Sequence, residues 1–199
     1  MTLAAVLATK DFTVAVADRR RTQLGTGTRV DDVRKIHRVN EHVITAYSGI
    51  YVPTGDGGLQ GLAEEIITST NVLITERSTV QDVTDLYSKT LLGCLNAGVP
   101  KDSLELTFHF GGKGTAGRYM LGRVSCWENF EPMIMESNDY GLIWSLSRAE
   151  YEAGTWLVAQ IASLSEITME TVKDLAVSLV KHTAQQDGYV SETYDLIVI

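Results

Sequence analysis

The chain begins with Met1-Thr2-Leu3-Ala4-Ala5-Val6-Leu7-Ala8-Thr9-Lys10-Asp11-Phe12-Thr13-Val14-Ala15-Val16-Ala17-Asp18-Arg19-Arg20, and this stretch decides the fold. Two apolar runs, 3–8 and 12–17, flank the turn-prone pair Lys10-Asp11, a pattern that predicts a β-hairpin. A hairpin that turns near its midpoint returns the end of its second strand beside the start of its first. We therefore predict that Thr2 and Asp18 are neighbours, and that they mark the candidate site.

Length and charge restrict the classes of protein that this sequence can encode. The 199 residues suit a single domain over residues 1–199 with a full core. The net charge of −8 argues against binding of nucleic acid or of an anionic membrane, both of which need a basic surface. With no apolar run of transmembrane length and no secretory signal, we expect no membrane partner and a cytoplasmic location.

Cysteine and histidine usage points away from metal chemistry. The two cysteines, Cys94 and Cys126, form no Cys-x-x-Cys pair, which indicates a reducing compartment without a disulfide framework. The four histidines have no metal-ligand spacing among them, and His37 and His109 alternate within strands, where a solvent-facing or satisfied position is expected. We therefore expect no metal and no organic cofactor.

Periodicity and turn signals divide the rest of the chain into alternating runs of strands and helices. Strands are predicted at 35–39, 42–49, 104–110, 118–124, 132–135 and 194–199, with turns at 53–58 and 111–117. Helices are predicted from Leu59 through Ile67, from Ser78 (capped with Gln81) to about 98, from near Arg148 to 162, and over 168–182. Paired helices between runs of strands favour an α+β fold with antiparallel sheets, a four-layer αββα sandwich, over a parallel sheet.

Four residues at fixed spacings form the candidate catalytic constellation. Thr2 opens the first strand, Asp18 closes the hairpin, Lys35 precedes an apolar residue, and Gly49 follows Lys35 by fourteen positions. With these residues the sequence resembles the proteasome β-type subunits and bacterial relatives such as HslV, which are N-terminal threonine hydrolases. The resemblance covers nearly the whole chain and implies the N-terminal nucleophile hydrolase type of αββα sandwich.

Two later stretches add to the resemblance. The segment 147–154 is similar to the family's serine at the start of its third helix, with Ser147 in the better helical register and Ser145 as the open alternative. Asp187 precedes the closing 195–199 strand by the same eight residues as the family's late aspartate. The serine that the family has three positions after that aspartate falls on Val190 here, with Ser191 next to it.

The resemblance implies a role for each site residue. After removal of Met1, Thr2 would supply the nucleophilic Oγ and, through its own α-amine, the base, since α-amines titrate near pH 7.7–8.0. Lys35, paired with Asp18, would lower the pKa of that amine. By the same resemblance, Ser147 and Asp187 would orient the amine through hydrogen bonds. The Gly49 N–H would stabilise the oxyanion, and the main chain near Thr22 and Gly49 would pair with an extended peptide substrate.

By resemblance, the activity is that of a threonine-type endopeptidase in stacked rings of identical subunits. Its substrate would be unfolded polypeptide, an ATP-dependent unfoldase is a candidate partner, and rings of six or seven subunits both stay open. The acidic charge and the long 50–58 loop are more similar to the beta-proteobacterial homologue than to HslV. Two alternatives stay open: a non-catalytic structural subunit of the same fold, and an N-terminal nucleophile amidase acting on a small molecule.

Overall fold

A computed structural model describes residues 2–22, 27–53, 61–139, 141–147 and 151–199, with only the backbone of residue 151. Within these residues the strands are β1 Ala4–Ala8, β2 Thr13–Asp18, β3 Arg21–Thr22, β4 Arg29–Val30, β5 Ile36–Arg38, β6 Val43–Gly49, β7 Leu106–Lys113, β8 Tyr119–Ser125, β9 Met133–Glu136, β10 Ile143–Ser147 and β11 Tyr194–Val198. The helices are α1 Leu62–Asn71, α2 Val80–Asn96, α3 Tyr151–Ser163 and α4 Met169–Gln186.

The predicted N-terminal hairpin forms the centre of one antiparallel sheet of order β10-β1-β2-β11. β1 and β2 pair with Ala4 opposite Ala17, so the two strand ends lie side by side as predicted. Every residue of both strands is buried, because one face packs on helices and the other on the second sheet. On the helix side, Leu3, Leu7 and Val14 share a core with Leu157 of α3 and Leu179 of α4.

The second sheet is also antiparallel and has the order β5-β6-β7-β8-β9. Its outer face packs on α1 and α2 through a core that includes Tyr87, Phe108 and Phe110. The edge of the Tyr87 ring meets Phe110, with the ring centroids 4.9 Å apart. The order of layers is therefore α3/α4, first sheet, second sheet, α1/α2, which confirms the predicted four-layer sandwich.

Small side chains line the contact between the two sheets. Alternate residues of the hairpin, such as Ala4, Val6 and Ala15, face Ile44 and its neighbours across this layer. At Gly111 the sheets come so close that an added Cβ would lie 2.5 Å from Val6 Cγ1. This close approach brings the start of β1 next to the edge of the second sheet, where Lys35 precedes β5.

The largest correction to the predicted elements concerns residues 143–147. No strand is predicted from the sequence at 143–147, and Ser147 is placed at the start of the third helix, yet these residues form strand β10, whose Ser147 pairs with Ala4 of β1. The apolar-polar alternation of Ile143-Trp144-Ser145-Leu146-Ser147 is typical of a half-buried strand. Helix α3 is described only from Tyr151 onward, and the predicted start near Arg148 lies outside the described residues.

Smaller corrections concern turns and caps. The glycine run predicted as a turn at 111–117 begins as strand, since β7 continues through Gly112. Helix α2 is capped by Thr79 with Asp82, one residue later than the predicted Ser78 and Gln81 pair. Leu59 and residues 54–58 of the predicted turn lie outside the described residues, while α1 itself begins at Leu62 after Gly61.

Candidate active site

Three of the predicted residues meet at the open end of the hairpin. The Lys35 Nζ lies 2.9 Å from the Thr2 Oγ1 and 3.2 Å from the Asp18 Oδ1. It also donates to the carbonyl oxygen of Arg20. Thr2, Asp18 and Lys35 are all buried, with 8%, 0% and 3% of their surface exposed. The structure therefore brings a hydroxyl, an amine and a carboxylate into direct contact.

The backbone holds Asp18 in place from both sides of its carboxyl group. Its Oδ1 accepts a hydrogen bond from the Leu3 N–H at 2.9 Å. Its Oδ2 accepts from the N–H groups of Arg20 at 2.8 Å and Ser191 at 3.3 Å. Since the Leu3 nitrogen is joined directly to Thr2, the Leu3 bond fixes the backbone beside the hydroxyl. Asp18 therefore positions both the threonine and the lysine.

Burial changes the titration of the charged pair. Desolvation lowers the pKa of Lys35 to about 8, although the neighbouring Asp18 acts in the opposite direction. Desolvation also raises the pKa of Asp18 above its ordinary value, against the effect of Lys35 and the backbone N–H donors. An amine with a pKa of about 8 holds a substantial neutral fraction at physiological pH. It is therefore able to give or take a proton at Thr2.

A cavity of about 80 Å³ opens beside this cluster. Thr2 and Lys35 line it, and so do the two predicted substrate-binding residues, Thr22 in β3 and Gly49 at the end of β6. The Thr22 hydroxyl is buried and has no hydrogen-bond partner among the described residues. The predicted nucleophile and the predicted peptide-pairing segments therefore border one space.

Position 49 needs glycine for a structural reason that is independent of catalysis. Its φ of +149° lies in the region that L side chains rarely adopt. A Cβ at this position would approach the Glu105 carbonyl oxygen to 2.3 Å. The glycine is therefore needed for contact with β7, whatever its N–H does for a substrate, and its oxyanion role stays a prediction.

An ion pair that sequence reasoning missed forms the far wall of the cavity. Glu64 in α1 accepts hydrogen bonds from the Arg21 guanidinium and, at 2.7 Å, from the Tyr47 hydroxyl. The guanidinium also lies over the Tyr51 ring, 4.0 Å from its centroid. Burial, and then the charge of Glu64, raises the pKa of Tyr47, so this phenol stays protonated.

Ser147 belongs to a buried network of hydroxyl groups around a histidine. Its Oγ accepts from the Ser48 hydroxyl at 2.5 Å and bonds to the Nε2 of His109. The Nδ1 of His109 lies 2.7 Å from the Ser145 Oγ. Burial lowers the pKa of His109 to about 3, so the ring is neutral. Of the two environments expected for His109, the structure shows the buried one, in which both ring nitrogens have hydrogen-bond partners.

The pairing of β1 with β10 places Ser147 nearer to Thr2 than Ser145. Within the described residues, neither serine forms a hydrogen bond with Thr2. Ser147 pairs with Ala4, which lies two positions from Thr2 and has its side chain on the same face of the strand. Ser145 pairs with Val6, one step further along the strand. The role of Ser147 in orienting the amine stays a prediction.

The late aspartate lies at the end of helix α4. Asp187 is its C-cap residue, and its Oδ1 accepts a hydrogen bond from the Tyr189 N–H at 2.8 Å. Further along this segment, the backbone N–H of Ser191 contacts the Thr2 cluster by donating to Asp18. In the sequence, Ser191 stands out only for its position next to Val190. The role of Asp187 at the α-amine stays a prediction.

The residues that sequence reasoning missed are Arg21, Tyr47, Glu64 and His109. The only local signal for Arg21 is the run Arg19-Arg20-Arg21 after the hairpin. In the structure each of these arginines forms an ion pair with a different carboxylate. Tyr47 and Glu64 are seventeen positions apart and belong to different elements. No spacing rule relates such a pair, so only the packing of α1 on β6 brings them together.

Within the described residues, no three His, Cys, Asp or Glu side chains gather as a candidate metal site. In the same part of the chain, no helix combines the length and the apolar character needed to cross a bilayer.

Comparison with solved structures identifies the architecture. Eukaryotic HslV from Trypanosoma brucei matches with a TM-score of 0.67 and 15% identity over 98% of both chains. Anbu, described as an ancestral beta-subunit, from Yersinia bercovieri matches with a TM-score of 0.72 and 13% identity, over 99% of this chain and 81% of that one. Anbu from Hyphomicrobium sp. strain MC1 matches with a TM-score of 0.69 and 14% identity, again over 99% of this chain and 81% of that one. No family model and no curated protein matches the chain.

These likenesses define the fold. The chain has an αββα sandwich, with two antiparallel sheets between two helical layers. More particularly, its fold is similar to the folds of HslV and Anbu. At 13–15% identity the likeness concerns the fold alone.

Proposed function

We propose that this chain is a threonine-type endopeptidase that uses Thr2 as its N-terminal nucleophile once Met1 is removed. The observation that carries the proposal is the 2.9 Å contact between the Thr2 Oγ1 and the Lys35 Nζ, beside a cavity. Since Lys35 is buried and has a pKa of about 8, this contact joins a hydroxyl to an amine that exchanges protons near neutral pH. Removing a lysine ammonium from water is costly, and a proton-transfer role at Thr2 accounts for its burial here.

The reaction begins with transfer of the Thr2 Oγ proton. Neutral Lys35, in place of the α-amine that the resemblance implies as the base, takes the proton while the Oγ attacks the peptide carbonyl carbon and forms a tetrahedral intermediate. When the carbon–nitrogen bond breaks, the proton goes to the leaving amine, either from Lys35 or through the α-amine of Thr2. The product is an acyl ester on Thr2, and water hydrolyses it to return the free hydroxyl. Asp18 keeps the lysine in place throughout.

The walls of the cavity provide the remaining functions. The Gly49 N–H stabilises the oxyanion, an effect worth roughly 3 kcal/mol in acyl-transfer enzymes. The backbone near Thr22 and Gly49 pairs with an extended peptide as an additional strand. Ser147, fixed by His109, and Asp187 orient the liberated α-amine. The positions of Thr22 and Gly49 around the cavity support the substrate assignment.

The proposal extends to the assembly of the subunits. We propose stacked rings of identical subunits that enclose the Thr2 sites, with unfolded polypeptide as the substrate. An ATP-dependent unfoldase is the proposed partner that delivers substrate, and the proposed compartment is the cytoplasm. The likeness to HslV and Anbu supports a proteasome-like subunit in general terms.

Intact-mass measurement tests the proposal directly. The wild-type protein is treated with a peptide β-lactone and with a peptide epoxyketone, beside a Thr2→Ala variant as control. We expect the loss of one methionine, a covalent adduct that maps to Thr2, and hydrolysis of an unfolded casein that the variant lacks. A processed protein that acquires no adduct, together with equal hydrolysis by Thr2→Ala, would support the non-catalytic structural subunit instead.

A further inference from the structure

The layer between the two sheets contains a small polar cluster close to Thr2. Ser48, His109, Ser145 and Ser147 belong to four different strands, and at most 8% of each residue is exposed. Three hydrogen bonds join them in a chain from Ser48 through Ser147 and His109 to Ser145. Because buried polar groups need hydrogen-bond partners, these bonds determine where each hydrogen of the cluster points.

The bond between Ser145 and His109 decides which ring nitrogen carries the proton. A neutral imidazole has one N–H donor and one acceptor nitrogen. In the part of the chain that the structure describes, the Ser145 hydroxyl bonds to the Nδ1 of His109, at 2.7 Å. A proton on that nitrogen would leave the hydroxyl hydrogen of Ser145 buried without an acceptor, which is costly. Ser145 therefore donates to Nδ1, and the ring proton lies on Nε2.

This tautomer makes Ser147 a hydrogen-bond donor. The Nε2–H of His109 donates to the Ser147 Oγ, which also accepts from the Ser48 hydroxyl at 2.5 Å. A hydroxyl oxygen has two lone pairs, so both acceptor positions of Ser147 are occupied inside the cluster. Its own hydrogen therefore points to a group outside the cluster.

Thr2 lies on the side to which this hydrogen can point. Ser147 pairs with Ala4, and Thr2 is two positions before Ala4 on the same face of the sheet. Residues in this diagonal relation are roughly 7–8 Å apart, a distance that two polar groups bridge directly or through one water molecule. Once Met1 is removed, the acceptor that Thr2 offers there is the lone pair of its α-amine.

We propose that His109 is a positioning residue for Thr2: with its proton on Nε2, it holds Ser147 as a hydrogen-bond donor to the liberated α-amine. A hydrogen bond donated to an amine favours the neutral amine over the ammonium. The neutral α-amine is the form that takes the Oγ proton from Lys35 and passes it to the leaving group. The inference rests on the proposed function of Thr2 and adds a residue to its machinery.

The charged groups around the cluster are paired. Arg123 is the charge that acts on His109, and it forms an ion pair with Glu128. On the threonine side the charges are those of Lys35 and Asp18, which contact each other. Burial lowers the pKa of His109 to about 3, so the ring keeps a single proton near neutral pH. The arrangement of hydrogens is therefore the same throughout the pH range of the experiments below.

Two amide substitutions separate this role from simple packing. In His109→Gln the amide N–H takes the position of Nε2 and still donates to Ser147. In His109→Asn the shorter amide takes the position of Nδ1, so it reaches Ser145 and leaves Ser147 without its donor. His182→Gln is the matched control, because it removes a ring that stacks on Trp156 and leaves the polar cluster intact.

Nitrogen NMR of protein labelled with ¹⁵N-histidine tests the tautomer. The chain has four histidines, and the signals that disappear in His109→Gln identify this residue. At pH 7.5 we expect a protonated Nε2 and an unprotonated Nδ1. A proton on Nδ1 would overturn the inference, and this measurement needs neither catalysis nor a stable variant at every position.

The role at Thr2 is tested on protein released from a fusion partner with Thr2 as its first residue. With a ¹⁵N-threonine label, the signal of the α-amine is separate from those of the backbone amides, and its pH titration gives the pKa of the amine. His109→Asn should raise this pKa by roughly 0.5–1 unit, the size of one hydrogen bond, whereas His109→Gln and His182→Gln should leave it unchanged. On a fluorogenic peptide at pH 7.5, kcat of His109→Asn should fall roughly three- to tenfold with the loss of neutral amine. KM should stay the same, since the cluster does not line the cavity.

The outcomes distinguish this inference from the catalytic proposal. If the wild type hydrolyses no peptide and takes no β-lactone label, the catalytic proposal fails, while a pKa shift confined to His109→Asn would still support the positioning of the amine. Normal labelling with the same amine pKa in all four proteins would overturn the role of His109 alone. Equal kcat values for the asparagine and glutamine variants would also overturn it.

Discussion

Replacing Lys35 with arginine separates two roles for this residue. As a fixed positive charge, Lys35 would only lower the pKa of the Thr2 α-amine, and arginine would serve equally well. As the acceptor of the Thr2 Oγ proton, it must lose its own proton, which arginine does not do. The contact of 2.9 Å and the pKa of about 8 favour the second role. We therefore expect Lys35→Arg to be inactive although it remains folded.

The expected loss of kcat/KM follows from the fraction of Lys35 that is neutral. At pH 7.5 a lysine with a pKa of about 8 is neutral in roughly one molecule in four, and one with a pKa of 10.5 in about one per thousand. Burial thus increases the reactive form by about two orders of magnitude. Since general bases contribute about 10²–10⁴ to rates, Lys35→Arg should reduce kcat/KM at least ~100-fold.

The measurement is kcat/KM for a fluorogenic peptide with Leu before the scissile bond between pH 6 and 9, with urea unfolding as the check on folding. Wild-type activity should rise with pH and level off above about pH 8, since the neutral amine is the active form. Lys173→Arg, an exposed lysine paired with Glu170, is the matched control and should behave as wild type. A folded Lys35→Arg variant within threefold of wild-type activity would refute proton transfer to Lys35.

Other predictions concern stability. Because His109 has a pKa of about 3 when folded and about 6.5 when unfolded, the unfolded chain binds the extra proton, and this residue should reduce the free energy of unfolding by about 2 kcal/mol between pH 7.5 and 5. Urea titrations at both pH values should show a smaller loss for His109→Asn, and an equal loss would contradict the assignment. Gly49→Ala should cost about 2–4 kcal/mol, because the new Cβ meets the Glu105 carbonyl at a positive φ. Gly93→Ala, in an open position on α2, should instead stabilise by about 0.5–1 kcal/mol, and a similar sign for both glycines would refute the packing argument.

Local patterns predicted those parts of the fold in which neighbours along the chain are also neighbours in space. The hairpin around Lys10-Asp11 follows from alternating apolar runs, and its geometry already placed Thr2 beside Asp18. The prediction of helix α2 was correct except that its N-cap is one residue later, because Ser78 and Thr79 are both good N-cap residues. β10 was missed because a five-residue strand next to a helical pattern gives a short periodic signal.

Beyond Thr2 and Asp18, which the hairpin brings together, the candidate site was predicted only where the resemblance supplied the spacing. Lys35 meets Asp18 across seventeen positions because β5 and the hairpin belong to different sheets that pack closely. The pKa of Lys35 was beyond sequence analysis, since desolvation depends on every group packed around the amine. The contacts of His109 with Ser147 likewise cross between sheets, over thirty-eight positions.

The sequence by itself therefore determined the hairpin, the alternation of strands with paired helices, and the presence of a threonine, an aspartate and a lysine suited to hydrolysis. The tertiary structure alone decided that the lysine is buried against the threonine, and that Arg21, Tyr47 and Glu64 line the cavity beside them. The physical reason is the distance along the chain over which each interaction acts. Strand and helix patterns depend on residues a few positions apart, whereas burial, charge pairing and cavity shape depend on how distant segments pack.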